Sequence, residues 1–234
     1  GDLEVGGPIA LGPGFSLEDI WLNVDTTTRE FRGGARLNIP AGFGIDVGIG
    51  FIDGYFNYIE VAVEDWNKPV IYGPPPASVP IVFLQDVGAW MDHLAPDHVD
   101  HTPVVLGGRM AFTAGPQIQV DGENYYLLRL DLAAEYDTAG RFTGTGQVLM
   151  GGGEEPFEFA SAELIIDRDY GLYLHGHMSY LDFLEIDGAL RLGRDNNVYG
   201  SFEGTLQAPG WIGGWTLGTA KVYGQYIDDA LEDN

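Results

Sequence analysis

"YYLLRLDLAAEYDTAGRFTGTGQVLM", residues 125–150, decides the fold. Leu128, Leu130, Leu132, Ala134 and Tyr136 recur at every second position, with Arg129, Asp131 and Glu135 between them. Successive side chains of a strand point to opposite faces, so the stretch reads as one half-buried strand. Asp137 and Gly140 then punctuate a turn, and "RFTGTGQVLM" resumes as the next strand.

The same grammar runs towards the C-terminus. "FEFASAELII", "LYLHGHMSY", "GALRLG", "VYGSFEGTLQA" and "WTLGTAKVYGQYI" read as strands, separated by "DRDYG", "RDNN" and "PGWIGG". It also runs through the first quarter. In "FGIDVGIGFI", Phe43, Ile45, Val47, Ile49 and Phe51 share one side, and Asp53-Gly54 is a hairpin signal before "YFNYIEVAVED". Strands of this length joined by short turns point to an antiparallel meander.

Two places break the rhythm. "KPVIYGPPPASVP" (68–80) is proline-rich and reads as an extended connector. In "IVFLQDVGAWMDHL", Leu84, Val87, Met91 and Leu94 fall at i, i+3, i+7 and i+10, one face of a helix, with Pro96 as a stop. One short helix is therefore expected near 82–94. The chain is expected to be all-β: an antiparallel meander of long hairpins forming a large sandwich, a barrel-like sheet or a solenoid-like sheet. Residues 1–234 read as a single β-rich domain, or as a segment of a larger protein.

Composition narrows the function classes. Apolar residues make up 45% of the chain, and the 35 glycines are roughly twice the usual share of about 7%. Acidic residues outnumber basic ones 35 to 11, a formal net charge of −24. Such a surface repels phosphate, which argues against nucleic acid and anionic lipid and favours cations or cationic partners. Cysteine is absent, so disulfides and thiolate chemistry are excluded. No apolar run reaches 18 residues, so no transmembrane helix is expected. The many glutamates and aspartates also argue against a continuous lipid-facing band, which ranks an outer-membrane barrel below other β architectures.

Several clusters could carry chemistry. "WMDHLAPDHVDH" (90–101) holds His93, His98 and His101, each preceded by an aspartate. Imidazole with carboxylate suits a transition metal such as zinc, nickel or manganese, while a polar turn needs the same residues for backbone reasons. His175 and His177 alternate on one strand and so point to one side, a second possible ligand pair. Asp167 and Asp169, and Asp195 in "RDNN", offer turn oxygens of the kind Ca2+ takes. Trp211 and Trp215, with Tyr199 and Tyr223, supply ring area for stacking on sugars. No nucleophile elbow, phosphate loop or dinucleotide fingerprint is present, so catalysis has little support.

The leading expectation is a non-catalytic extracellular or cell-surface module for structure, adhesion or assembly, with other protein subunits or domains as partners. A carbohydrate-binding domain using the surface aromatics, with polysaccharide as ligand, is the second. A metal-dependent hydrolase using the five histidines is the third.

Overall fold

A computed structural model of the chain describes residues 1–5, 7–40, 42–73, 80–96, 102–115, 118–120, 123–151, 156–180, 183–194, 197–208 and 214–227. The described residues are all-β, with no helix. Of the eighteen strands among the described residues, fourteen follow one open antiparallel meander order, two short strands pair beside that path, and the other two form a separate hairpin. The chain divides into two compact units.

The first unit comprises Gly1–Gly115 and Glu135–Thr138. Its strands are β1 (Asp2–Val5), β2 (Ile9–Gly12), β3 (Phe15–Asp25), β4 (Glu30–Asn38), β5 (Gly44–Ile52), β6 (Tyr55–Glu64), β7 (Lys68–Tyr72), β8 (Pro80–Asp92) and β9 (Val105–Ala114). The bonded order is β1-β3-β4-β5-β6-β8-β9, with β2 added to β3 and β7 to β8. The β5–β6 connection turns on Asp53 (φ 52°) and Gly54 (φ 81°). Two consecutive left-handed residues form the turn whose twist matches paired strands, and this is why Asp-Gly is read as a hairpin.

The second unit comprises Pro116–Ala134 and Ala139–Asn234. It contains the small hairpin β10 (Ile118–Val120) and β11 (Glu123–Tyr125) and most of β12 (Leu128–Asp137). It continues through β13 (Arg141–Met150), β14 (Phe157–Asp167), β15 (Gly171–Tyr180), β16 (Leu184–Leu192), β17 (Val198–Gln207) and β18 (Thr216–Tyr226). From β12 to β18 each strand pairs with the next.

The helix expected at 82–94 is not present: Pro80–Asp92 is strand β8, bonded to β6 on one side and β9 on the other. The cause of the misreading is a bulge. Leu84 stands opposite Phe112 and Asp86 opposite Ala111, so Gln85 is an extra residue. One inserted residue shifts the alternation by one. Leu84, Val87, Ala89 and Met91 therefore share a face, and i, i+3, i+7 is period two interrupted once. Gln85 is buried, and its side-chain amide donates to Thr113 Oγ1 at 2.9 Å. A second bulge at Asn57 moves Phe56 onto the face of Ile59, Val61 and Val63, where uninterrupted alternation would place it opposite them. Of the proline-rich stretch, Lys68–Tyr72 forms β7, and residues 74–79 lie outside the described residues.

Among the described residues the buried apolar side chains are alanines, Ala62, Ala95, Ala111 and Ala208, and no large side chain is fully buried. The larger apolar side chains described in both units are half-buried or exposed.

Candidate functional site: two faces of unlike chemistry

Directly opposed residues lie on the same side of a sheet, so the register assigns every strand position to one of two faces. In the first unit, one face runs Leu37–Ile45–Val63–Val87–Met110 across β4, β5, β6, β8 and β9. One step along, it runs Leu22–Gly33–Ile49–Ile59–Met91–Leu106 from β3 to β9. Outside the bulges, this face of β3–β6, β8 and β9 carries no charged side chain. The opposite face runs Glu18–Arg36–Asp46–Ala62–Gly88–Arg109.

The second unit repeats the division. One face runs Gly144–Leu164–Leu174–Leu190–Gly200–Gly224 from β13 to β18, and another row on it runs Val148–Ala160–Met178–Ile186–Gly204–Ala220. Its other face runs Thr145–Glu163–His175–Ala189–Ser201–Tyr223. The acidic residues counted in the sequence are thus segregated. On these strands they share a face with the arginines, threonines and histidines, and the apolar face is continuous. An acid count alone does not say which face of a strand carries the acids; the register does.

In the first unit part of the apolar face is more exposed than part of the polar face. On the apolar face Val47 is 43% exposed, Ile49 40% and Val61 45%. On the polar face the side chains of Arg36, Asp92 and Glu60 are only 16%, 18% and 25% exposed. The polar side chains cover one another through ion pairs. Arg36 reaches Glu64 at 2.6 Å, Asp65 at 2.8 Å and Asp46 at 3.6 Å. Arg32 reaches Glu30 at 2.6 Å and Asp92 at 3.1 Å, with its guanidinium 4.6 Å from the centre of the Tyr58 ring. Arg109 lies 3.2 Å from both Glu60 and Glu64.

This network shifts acidities. Burial, reinforced by the neighbouring charge of Glu64, pushes the Asp46 carboxyl up to about 6 against the pull of Arg36 and Arg109. Its Oδ2 is buried without a hydrogen bond. Burial and the hydrogen bond to Glu60 likewise raise the Tyr58 hydroxyl. Arg36 is held in its charged form because Asp46, Asp65 and Glu64 together outweigh its desolvation.

Aromatic rings sit towards both ends of the apolar face. In the first unit, Phe31, Phe51 and Phe56 pack in a row at one end, with ring centres 6.2 and 5.8 Å apart. Eight positions back along the chain from Phe51, Phe43 packs on Trp66 at 6.1 Å. In the second unit, Phe159 meets Tyr180 edge-on at 6.2 Å, and Phe142 and Tyr226 stand towards the other end.

The expected site residues fall as follows. His93 follows β8 with a left-handed φ of 57°; its amide donates to Asp92 Oδ1 at 2.8 Å, and its ring Nδ1 lies 3.2 Å from Pro103 O. It therefore does not sit at a helix C-terminus. His98 and His101 lie outside the described residues. His175 and His177 do share the polar face, and both approach Asp187 Oδ1, at 3.6 and 3.1 Å. Among the described residues no three metal-binding side chains gather with the geometry of an ion site.

Asp167 Oδ1 accepts from the amides of Asp169 and Tyr170, at 2.7 and 3.1 Å, the turn-forming use of an aspartate. Asp195 and Trp211 lie outside the described residues. Tyr199 and Tyr223 line a shallow recess of about 370 Å3 on the polar face with Arg191 and Ser201, and Trp215 is exposed beside β18.

Sequence reasoning read the apolar side of single strands but not its continuity from strand to strand. The signal that could have found it is the alternation within each strand, which already puts Arg129 and Asp131 opposite Leu128, Leu130 and Leu132. Among the described residues no helix is long and apolar enough to cross a membrane, which leaves strands out of consideration. No protein-family model, no curated protein and no solved structure matches the chain.

Proposed function

We propose that the chain forms the wall of a transmembrane β-barrel, with its apolar face against lipid and its polar face lining a water-filled pore for small hydrophilic solutes. The observation that carries the reading is the uncovered, uncharged face on strand after strand, with the ionised groups on those strands gathered on the other side. A water-soluble sheet protein presents the reverse, apolar side in and polar side out. A membrane barrel presents an apolar band outward and polar groups inward.

Dimensions support it. Most meander strands are 9 to 11 residues long, as in β4, β6, β14 and β17. Ten residues at ~3.3 Å each, tilted ~45°, rise ~23 Å, close to the apolar band of about 25 Å that such barrels present. The aromatic clusters towards the strand ends lie where aromatic girdles meet the two interfaces. Lipid offers no partner to an unpaired strand edge, so the membrane form presents its edges paired. On this reading the protein works within a membrane; a soluble assembly module leaves the apolar face unexplained.

The test is reconstitution of the purified chain. Expected results are aggregation in detergent-free buffer, solution in detergent with strand-dominated circular dichroism, and stepwise conductance after addition to a planar lipid bilayer. A monodisperse, detergent-free chain that ignores vesicles would overturn the reading.

A further inference from the structure

We infer that this pore passes small inorganic cations in preference to anions, an inference that rests on the pore reading above. The polar faces hold between two and three times as many carboxylates as arginines and lysines on the meander strands, and these basic groups are largely engaged. In the first unit Arg32, Arg36 and Arg109 each contact two or three carboxylates. In the second, Lys221 is held by Glu203 at 2.5 Å. Arg191 has no ion pair among the described residues.

The surplus is spread along the wall. The register places Glu158 opposite Leu149, Glu163 opposite His175 and Glu185 opposite Ser179 and Thr205, all on the polar face of the second unit. None of the three has an ion-pair partner among the described residues. Carboxylates along a confined, low-dielectric wall raise local counter-ion concentration, by roughly tenfold or more. Engaged arginines cannot do the same for anions, because their field is cancelled at short range.

The experiment is single-channel recording of the reconstituted protein in a potassium chloride gradient, which gives the permeability ratio of K+ to Cl−. Wild type is expected to favour K+ by roughly tenfold at low salt, and less at 1 M, where the Debye length is about 3 Å. The double variant Glu163→Gln/Glu185→Gln removes two unpaired charges without breaking an ion pair, and should lower the ratio while leaving channels that open. Glu163→Lys/Glu185→Lys should lower it further. Channels with a ratio at or below one, or a ratio unmoved by both variants, overturn the inference and leave the pore reading standing. Absence of any conductance overturns the pore reading itself, and the inference with it.

Discussion

A lysine in place of Ile49 separates a lipid-facing wall from a sheet in water. Ile49 lies near the middle of β5, opposite Gly33 and Ile59, and is 40% exposed on the apolar face. If that face meets water, a partly exposed isoleucine becoming lysine changes stability by about 0.5 kcal/mol or less. If it meets the middle of a bilayer, the cost is about 2–4 kcal/mol, or roughly 30- to 1,000-fold in the folding equilibrium. The cost is also depth-dependent, falling to about 0–1 kcal/mol near the interfaces. Phe51→Lys, at the aromatic end of the same face, should therefore cost less from charge burial than Ile49→Lys, despite losing a larger side chain. The assay is denaturant titration of the protein folded into phosphatidylcholine vesicles, read by tryptophan fluorescence and by gel mobility with and without heating. Equal effects of Ile49→Lys in vesicles and in detergent-free buffer, both near zero, would refute the reasoning.

Three further outcomes follow from the local geometry. Asn57 is 2% exposed, and its Oδ1 accepts the Ala95 amide at 3.0 Å; Asn57→Ala leaves that amide unpaired and should cost about 1–3 kcal/mol, with faster hydrogen exchange at Ala95. Gly107 lies directly beneath the Trp90 indole, where a Cβ would collide with the ring; Gly107→Ala should destabilise by about 1–3 kcal/mol and shift Trp90 emission. Asp46 ionises near pH 6 in the folded protein against an ordinary value of 3.8, so the folded state binds its proton more tightly than the unfolded chain. Its contribution to stability therefore grows as pH falls from about 6 to about 4 and is lost as pH rises through that window. Asp46→Asn should flatten this slope, seen by comparing unfolding midpoints at pH 4.5 and 7.5.

Strand periodicity was readable wherever alternation ran unbroken, as from Leu128 to Tyr136 and from Phe43 to Phe51. It failed where a bulge inserted a residue. Gln85 turned two-residue spacing into an apparent helical face, and Asn57 displaced Phe56 by one position. Bulges are set by pairing with the neighbouring strand, which a single segment does not display. The continuity of the uncharged face was hard to read for a related reason. Net charge and acid count are scalar quantities, and a lipid-facing wall depends on where the charges point. Each strand holds that information locally, but only the register of β3 through β9 and β13 through β18 makes one face continuous. His175 and His177 share a side, as alternation predicts, and both approach Asp187 there.

The most direct measurement places a spin label, one site at a time, at positions 172 to 179 of β15 in protein reconstituted into vesicles. Collision with oxygen, which concentrates in lipid, is compared with collision with a water-soluble nickel complex. Leu172, Leu174, Gly176 and Met178 should be dominated by oxygen, and Tyr173, His175, His177 and Ser179 by nickel, in strict alternation. Nickel dominating at every position, or oxygen failing to rise at Leu174 and Met178, would contradict a lipid-facing wall.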